Sequence, residues 1–153
     1  MHPSALHIRD ATPRDLPTIV EIEQVSFPTP WSLNSFRREL GLPFSRMMVA
    51  ASSMDEGAPA VGFLCRRLVA DECHVLNIAV HPEFRRMGVA VELMHATISE
   101  AKAKGANLIT LEVRRSNLAA RCLYRKLEFS EHRLRRNYYG PGEDAIVMEL
   151  QLR

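Results

Sequence analysis

Apolar and polar residues follow the helical period in some stretches of the chain and the strand period in others. The stretch LHIRDA is typical of a short strand, and TPRDLPTIVEIEQVSF then places apolar residues at helical spacing from Leu16 onward, with Thr12 or Asp15 as the cap. PWSLNSFRREL predicts a second, shorter helix capped by Ser32. The chain therefore opens with a strand followed by two helices.

The next part of the chain predicts three strands in succession. RMMVAAS and APAVGFLCRRLV are β-prone runs on either side of SMDEGAP, whose Gly and Pro indicate the loop of an antiparallel hairpin. HVLNIAV follows and is almost entirely apolar, as expected of a central strand that is covered on both faces.

The second half of the chain alternates helix and strand. A helical pattern that starts near Ala90 ends at Lys104 and Gly105. NLITLEV then predicts a strand that has Leu108, Thr110 and Glu112 on one face. SNLAARCLYRKL predicts a capped helix, and RLRRNYY and AIVMELQL predict two final strands joined by GPGED. The chain has no repeats and no linker, so we expect one domain over residues 1–153.

Composition narrows the functional classes. The chain has 153 residues, of which 46% are hydrophobic, enough for one core. Twenty Lys and Arg residues against eighteen Asp and Glu residues leave a net charge of +2, too small for a protein that follows nucleic acid phosphates. We therefore expect no nucleic acid partner. The six histidines show no metal-ligand spacing, so we also expect no metal.

Cysteine spacing and hydropathy bear on the compartment. Cys65, Cys73 and Cys122 are odd in number and form no C-x-x-C pair, which favours a reducing environment. The sequence has no apolar run of signal-peptide type and none of membrane-spanning length. We expect a cytoplasmic protein that does not bind a membrane.

The segment VHPEFRRMGVA joins a predicted strand to a predicted helix and carries the first chemical signal. A helix N-terminus presents free N–H groups and the positive end of the helix dipole, and small residues at Gly88 and Ala90 allow close approach of a ligand. Arg85 and Arg86 add positive charge. The segment predicts a pyrophosphate site; alternatively, it is a solvated loop in which Gly88 eases the turn.

RRMGVA matches the pattern [Q/R]-x-x-G-x-[G/A] at Arg85, Gly88 and Ala90, and by this motif the chain resembles the GNAT N-acetyltransferases. Four further blocks are similar to the RimI group of that family, the ribosomal-protein-alanine N-acetyltransferases: FPTPWS, LNIAVHPEFRRMGVA, LEVRRSNLAARCLY, and RRNYY followed by EDAIVMEL. Together these blocks cover almost the whole chain in the family's order.

The resemblance implies an α/β (α+β) fold in which a mixed, mostly antiparallel sheet splays beside acetyl-CoA, flanked by helices. It also implies contacts with acetyl-CoA: Asn117 matches one, and the backbone of the strand LNIAV would meet pantetheine and the thioester. The residues that it assigns to the co-substrate are Ile78, Ala79, Val80, Arg85, Arg86, Met87, Gly88, Val89, Ala90 and Asn117.

The resemblance further implies that Glu112 is the general base and Tyr124 the general acid. Acetyl transfer to an amine requires a neutral nucleophile and a proton for the leaving thiolate, which a carboxylate and a phenol can provide. Each residue also has a structural interpretation. Glu112 could pair with an arginine such as Arg114 at the strand end, and Tyr124 could be an ordinary core aromatic.

Three aromatic residues are candidates for binding the acceptor. Tyr138 and Tyr139 in RRNYY are rigid and amphipathic, suited to gripping a peptide, and Trp31 has the same character. Strand pairing with aromatic packing explains them equally well. A departure from the family lies at Glu128, which stands where the family usually has glycine; the position therefore predicts a positive φ or a bulge.

These observations predict an enzyme that moves the acetyl group of acetyl-CoA to a protein N-terminal α-amine, with the alanine of small-subunit ribosomal protein eighteen as the expected acceptor. Two alternatives remain open at this point: an N-terminal or lysine acetyltransferase of broader specificity, and a non-catalytic acyl-CoA-binding regulatory module. Glu112 and Tyr124 argue against the module, because binding alone requires only the loop. The oligomeric state is not predicted.

Overall fold

A computed structural model describes residues 6–55 and 57–153; residues 1–5 and 56, which the domain prediction includes, lie outside the described residues. The helices are α1 (Leu16–Ser26), α2 (Leu33–Leu40), α3 (Val89–Ala103) and α4 (Leu118–Lys126). The strands are β1 (His7–Asp10), β2 (Ser45–Ala51), β3 (Ala60–Val69), β4 (Glu72–Val80), β5 (Leu108–Arg114), β6 (Ser130–Gly140) and β7 (Glu143–Gln151).

The strands form a seven-stranded sheet in the order β1-β2-β3-β4-β5-β7-β6. Every pair is antiparallel except β4 and β5, which are parallel because α3 carries the chain back across the sheet. The sequence pattern predicted these elements in this order, including the β2–β3 hairpin. It did not predict two short 3-10 turns at Pro13–Asp15 and Pro82–Phe84.

The parallel strands β4 and β5 separate partway along their length. Their register runs from Glu72 opposite Leu108 to Val75 opposite Leu111, and β4 then continues to Val80 without β5. A bulge occurs at this point, where the register between β3 and β4 shifts on passing from Cys65 to Arg66. Because a bulge bends and twists its strand, the sheet opens into a cleft there.

Two apolar clusters cover the two faces of the sheet. One lies under α3 and α4 and includes Leu93, Met94 and Ile109; the other lies under α1 and α2, where Phe36 meets Phe63 edge to face at 5.5 Å. The helix α3 approaches β3 so closely that a Cβ atom on Gly62 would lie 2.9 Å from Val89 Cγ1. This contact fixes the start of α3 beside the free end of β4.

The helix ends follow the sequence signals in most places. The Ser32 hydroxyl accepts a hydrogen bond from Ser35 N at 3.1 Å, and Gly105 ends α3 with φ +81°. Asp15 precedes α1 without capping it, since its carboxylate accepts from Arg9 and from the N–H of Thr12. Within the described residues, the structure contains no helix of the length and hydropathy that a membrane span requires.

Glu128 adopts φ +74° directly after α4. The sequence predicted a positive φ or a bulge at this position from the glycine that the family usually carries, and the structure shows the positive φ. Glu128 N–H donates to Arg125 O at 2.9 Å, so the turn has the hydrogen bonding of a helix C-terminus without the residue type that it favours.

Candidate active site

A cavity of about 380 Å³ lies in the cleft where β4 and β5 separate. Its walls come from α1, the α1–α2 loop, β4, β5, α4 and β6. The sequence-predicted residues that line it are Trp31, Ile78, Glu112, Asn117, Tyr124, Tyr138 and Tyr139. The structure therefore brings both proposed proton-transfer groups and all three proposed acceptor-binding residues to one cavity. Ala79, Val80 and residues 85–90 do not line it.

A second depression, of about 390 Å³, lies near the other edge of the sheet. It contains the charged groups of Arg46 and Arg66, but both guanidinium groups already bind the Glu100 carboxylate. None of the sequence-predicted site residues lines this depression.

Glu112 lies on β5, at the first position beyond the part of the strand that pairs with β4, and its side chain is 10% exposed. Its Oε1 atom is 2.7 Å from His74 Nε2, and its Oε2 atom is 3.7 Å from the guanidinium of Arg135. Burial by itself would raise the pKa of Glu112, but the contact with His74 and the positive charges of Arg135 and Arg133 outweigh it and hold that pKa below its usual range.

The alternative pairing of Glu112 with Arg114 is wrong. The Arg114 guanidinium instead binds Glu143 at 3.0 Å and the Thr29 hydroxyl at 3.1 Å. Glu112 is therefore held by a histidine from the neighbouring strand, on the side of the sheet that faces the cavity.

Tyr124 lies on α4 and is buried except where it lines the cavity. Its ring is 5.9 Å from that of Phe129, so it also packs in the core. Burial strongly raises the pKa of the Tyr124 phenol, which therefore keeps its proton at neutral pH. No described residue forms a hydrogen bond with the hydroxyl group. A protonated and unengaged phenol is available to donate a proton to a ligand.

The aromatic residues at the mouth combine packing with exposure to the cavity. Tyr138 and Tyr139 meet edge to face at 4.9 Å, with Arg135 over the first ring at 4.5 Å and Arg114 over the second at 4.2 Å. Trp31 stacks at 5.2 Å from Phe36. These contacts hold the rings rigid while leaving them on the cavity wall.

The loop before α3 has the geometry of an anion site. Gly88 caps the helix with φ +80°, and Arg86 has φ +63°. The first intrahelical bond runs from Glu92 N to Gly88 O, so the N–H groups of residues 89–91 lie ahead of it, free to bind an anion. Arg85 turns inward: its guanidinium donates to Val80 O at 3.0 Å and to Ser26 Oγ at 3.1 Å, which ties the loop to β4 and α1.

Sequence reasoning missed a buried carboxylate in the cavity wall. Glu23 is 1% exposed and accepts hydrogen bonds from Trp31 N–H and Asn77 Nδ2, both at 3.0 Å. Burial raises the pKa of Glu23 against these two hydrogen bonds. Its position on the apolar stripe of α1, four residues after Ile19, was the signal in the sequence.

His74 was missed as well, and the sequence carried no comparable signal for it. Its contact with Glu112 depends on the parallel register of β4 and β5, in which His74 lies opposite Thr110. The two residues are 38 positions apart, and no local pattern sets this register.

The cleft between β4 and β5 and the glycine at the start of α3 agree with what the resemblance to the GNAT N-acetyltransferases implied. Residues 16–129 match the model of the Acetyltransferase (GNAT) family. The chain belongs to this family, and it is an enzyme whose co-substrate is acetyl-CoA.

Known proteins agree with this assignment. The chain is 37% identical over 141 residues to the [Ribosomal protein bS18]-alanine N-acetyltransferase of Salmonella typhimurium, covering 90% of this chain and 92% of the relative. It is similar to the crystal structure of the ribosomal-protein-S18-alanine N-acetyltransferase from Escherichia coli, with a TM-score of 0.84, 34% identity, and coverage of 96% and 94%. Arabidopsis thaliana NAA60 in complex with acetyl-CoA shares the fold, with a TM-score of 0.84, 18% identity, and coverage of 95% and 98%.

Proposed function

We propose that this enzyme acetylates the N-terminal α-amine of a protein, and that its acceptor is the N-terminal alanine of ribosomal protein bS18. The observation that carries the proposal is that Glu112 and Tyr124 line one cavity at the point where β4 and β5 separate. The specific acceptor is inferred from the Salmonella and Escherichia relatives, which match this chain over nearly its full length.

The loop before α3 would bind the co-substrate. Free N–H groups at the start of α3 suit the pyrophosphate, and Gly88 at φ +80° permits the close approach. Beyond Val75, the edge of β4 that faced β5 has no strand partner, which leaves the backbone of Ile78 available to pantetheine. We assign Asn117 to the same ligand because it lines the cavity at the start of α4.

Glu112 would take the proton of the acceptor. An N-terminal ammonium group has a reference pKa near 8, whereas that of lysine is about 10.4. The pKa of Glu112 lies below its usual range, so this carboxylate is a weak base. A weak base suits an α-amine, because about one in ten such amines is already neutral at pH 7, and it suits lysine poorly.

Tyr124 would supply the proton for the leaving group. Acetyl-CoA contributes a thioester, whose thiolate departs as the new amide bond forms. The Tyr124 hydroxyl is protonated, lines the cavity and has no hydrogen-bond partner among the described residues, so it can donate to this thiolate. Per turnover, one ammonium and one thioester give one amide, one thiol and one proton.

The wall of Trp31, Tyr138 and Tyr139 would hold the first residues of the acceptor. Arg114 and Arg135 stack on the two tyrosines and fix them, which lowers the entropy lost when a peptide binds.

We further place the enzyme in the cytoplasm, because Cys65, Cys73 and Cys122 are all free thiols.

Transfer to a panel of peptides tests the proposed function. The enzyme is incubated with acetyl-CoA and peptides that start with Ala, Ser, Met or Lys, together with an Ala peptide that is N-terminally blocked and carries an internal lysine. Mass spectrometry then locates any acetyl group. We expect modification of the Ala-starting α-amine, most efficiently when the peptide has the bS18 N-terminal sequence. Acetylation of the blocked lysine peptide alone, or transfer to none of these peptides, would refute the proposal.

A further inference from the structure

His74 reaches the proposed base from the neighbouring strand. Its Nε2 atom lies 2.7 Å from Glu112 Oε1, and its own side chain is 35% exposed. Because Glu112 is ionised at neutral pH, a contact of this length requires a proton on Nε2, which donates to the carboxylate. Oε1 of Glu112 is held by this contact, whereas Oε2 lies 3.7 Å from the Arg135 guanidinium.

Charged and titratable groups of β3 and β6 surround this pair. Arg67 lies opposite His74 on β3, but its guanidinium donates two hydrogen bonds of 2.7 Å to the Glu39 carboxylate on α2. On β6, Arg135 lies 3.7 Å from Glu112 Oε2, and the charge of Arg133 also acts on Glu112. Tyr138 and Tyr139 on β6 also face Glu112, whose negative charge adds to the effect of burial in raising the pKa of both phenols. His74 makes the short 2.7 Å contact with the carboxylate.

We propose that His74 is a positioning residue for acetyl transfer: its Nε2–H holds Glu112 Oε1 so that Oε2 faces the acceptor amine, and protonation of His74 switches the base off. This inference rests on the proposed role of Glu112. It extends that role, because it adds a partly exposed histidine to the groups that control the base.

The switch follows from electrostatics at short range. A neutral imidazole donates one hydrogen bond and leaves Glu112 able to accept a proton. A protonated imidazole at 2.7 Å adds a full positive charge, which opposes proton uptake by the carboxylate in a half-buried cavity. Imidazole groups change charge between about pH 5 and 8, which is the range in which an α-amine also becomes reactive.

The test measures kcat at saturating acetyl-CoA and Ala-starting peptide from pH 5.5 to 8 for wild type, His74→Gln and His74→Leu. Glutamine keeps an N–H donor but cannot become charged, and leucine removes the donor. We expect the kcat ratio of His74→Gln to wild type to rise by up to about tenfold between pH 7.5 and pH 5.5, because only the wild-type side chain can gain a positive charge there. At pH 7.5, His74→Leu should lose at least about tenfold in kcat, and His74→Gln should restore most of it.

A matched control is His132→Gln, because His132 lies 3.6 Å from Glu149 on the same sheet and neither residue lines the cavity. This variant should follow the wild-type pH profile. A constant ratio of His74→Gln to wild type across the pH range would overturn the switch. Wild-type kcat in a folded His74→Leu variant would overturn the positioning role. A wild-type enzyme that acetylates no α-amine would instead refute the proposed function and this inference with it.

Discussion

Replacing the proposed base, Glu112, with glutamine separates its effect on the rate from the effect of the acceptor amine's own titration. Glu112→Gln preserves the shape of the side chain but cannot take a proton, so the variant reacts only with amines that are already neutral. We expect a loss of roughly 10²–10⁴ in kcat at pH 7, with recovery toward pH ~8 on an Ala-starting peptide. The measurement is kcat against pH. Glu149→Gln on β7 is the control, and a Glu112→Gln profile that parallels wild type would remove Glu112 from the mechanism.

Tyr124 offers a second test at this scale, because its hydroxyl has no partner among the described residues and its ring packs in the core. Tyr124→Phe should lower kcat by roughly 10²–10⁴ while the affinity for acetyl-CoA, measured by calorimetry, changes little. The free energy of unfolding should not fall, since no hydrogen bond within the described residues is lost. Wild-type kcat would mean that the thiolate leaves without this proton.

Glu128 carries backbone strain that a single change can remove. At φ +74°, a residue with a Cβ atom is strained and glycine is not. Glu128→Gly should therefore raise the free energy of unfolding by about 1 kcal/mol, measured by urea denaturation. Glu128→Ala is the control, because it removes the same exposed carboxylate and keeps the strain. Equal stability of the Gly and Ala variants would show that φ is not the cause.

At the scale of elements, the start of α3 joins the fold to the chemistry. Gly88 and Gly105 bracket this helix with nearly equal φ values of +80° and +81°. Gly88→Val should weaken acetyl-CoA binding at least about tenfold, because the side chain blocks close approach to the N–H groups of the first turn. Gly105→Val brings similar strain at the other end of the helix and should leave the affinity almost unchanged. Equal affinities in the two folded variants would contradict the loop assignment.

At the scale of the whole molecule, two buried glutamates affect stability in opposite directions. Arg67 holds the pKa of Glu39 below its ordinary value of 4.5 against the effect of burial, whereas burial raises the pKa of Glu23. Glu39 therefore stabilises the fold above pH 4.5, and this contribution is lost as the pH falls through its folded pKa. Burial of Glu23 instead costs stability as the pH rises above 4.5, and this cost is complete once the pH exceeds its folded pKa.

We therefore expect Glu23→Gln to raise the free energy of unfolding at pH 7 and Glu39→Gln to lower it, each on the order of 1 kcal/mol. The gain from Glu23→Gln should shrink as the pH falls toward 4.5, because the wild-type carboxyl group then binds its proton. Urea denaturation at pH 7 and pH 5 gives both differences. A Glu23→Gln variant that is less stable than wild type at pH 7 would show that its hydrogen bonds to Trp31 and Asn77 outweigh the burial of its charge.

Most of the helices and strands could be predicted from the sequence, because they depend on interactions between residues close together in the chain. Helix periodicity, the Ser32 cap and the stop at Gly105 depend on neighbours within a few residues, so the pattern determined where α2 and α3 lie. The strand-to-helix motif at Gly88 and the positive φ at Glu128 are local for the same reason. The family resemblance added the residues of the site, and the structure places Glu112 and Tyr124 in one cavity.

Contacts set by register and by the crossover were decided only in the tertiary structure. The sequence placed Glu112 near a strand end and offered Arg114 as its partner, but the parallel pairing of β4 with β5 brought His74 to it instead. The bulge between β3 and β4, where the register shifts from Cys65 to Arg66, and the burial of Glu23 against Asn77 also depend on residues far apart in sequence. Such pairs are fixed by how whole elements pack, because the energy that selects a register is summed over a complete strand face.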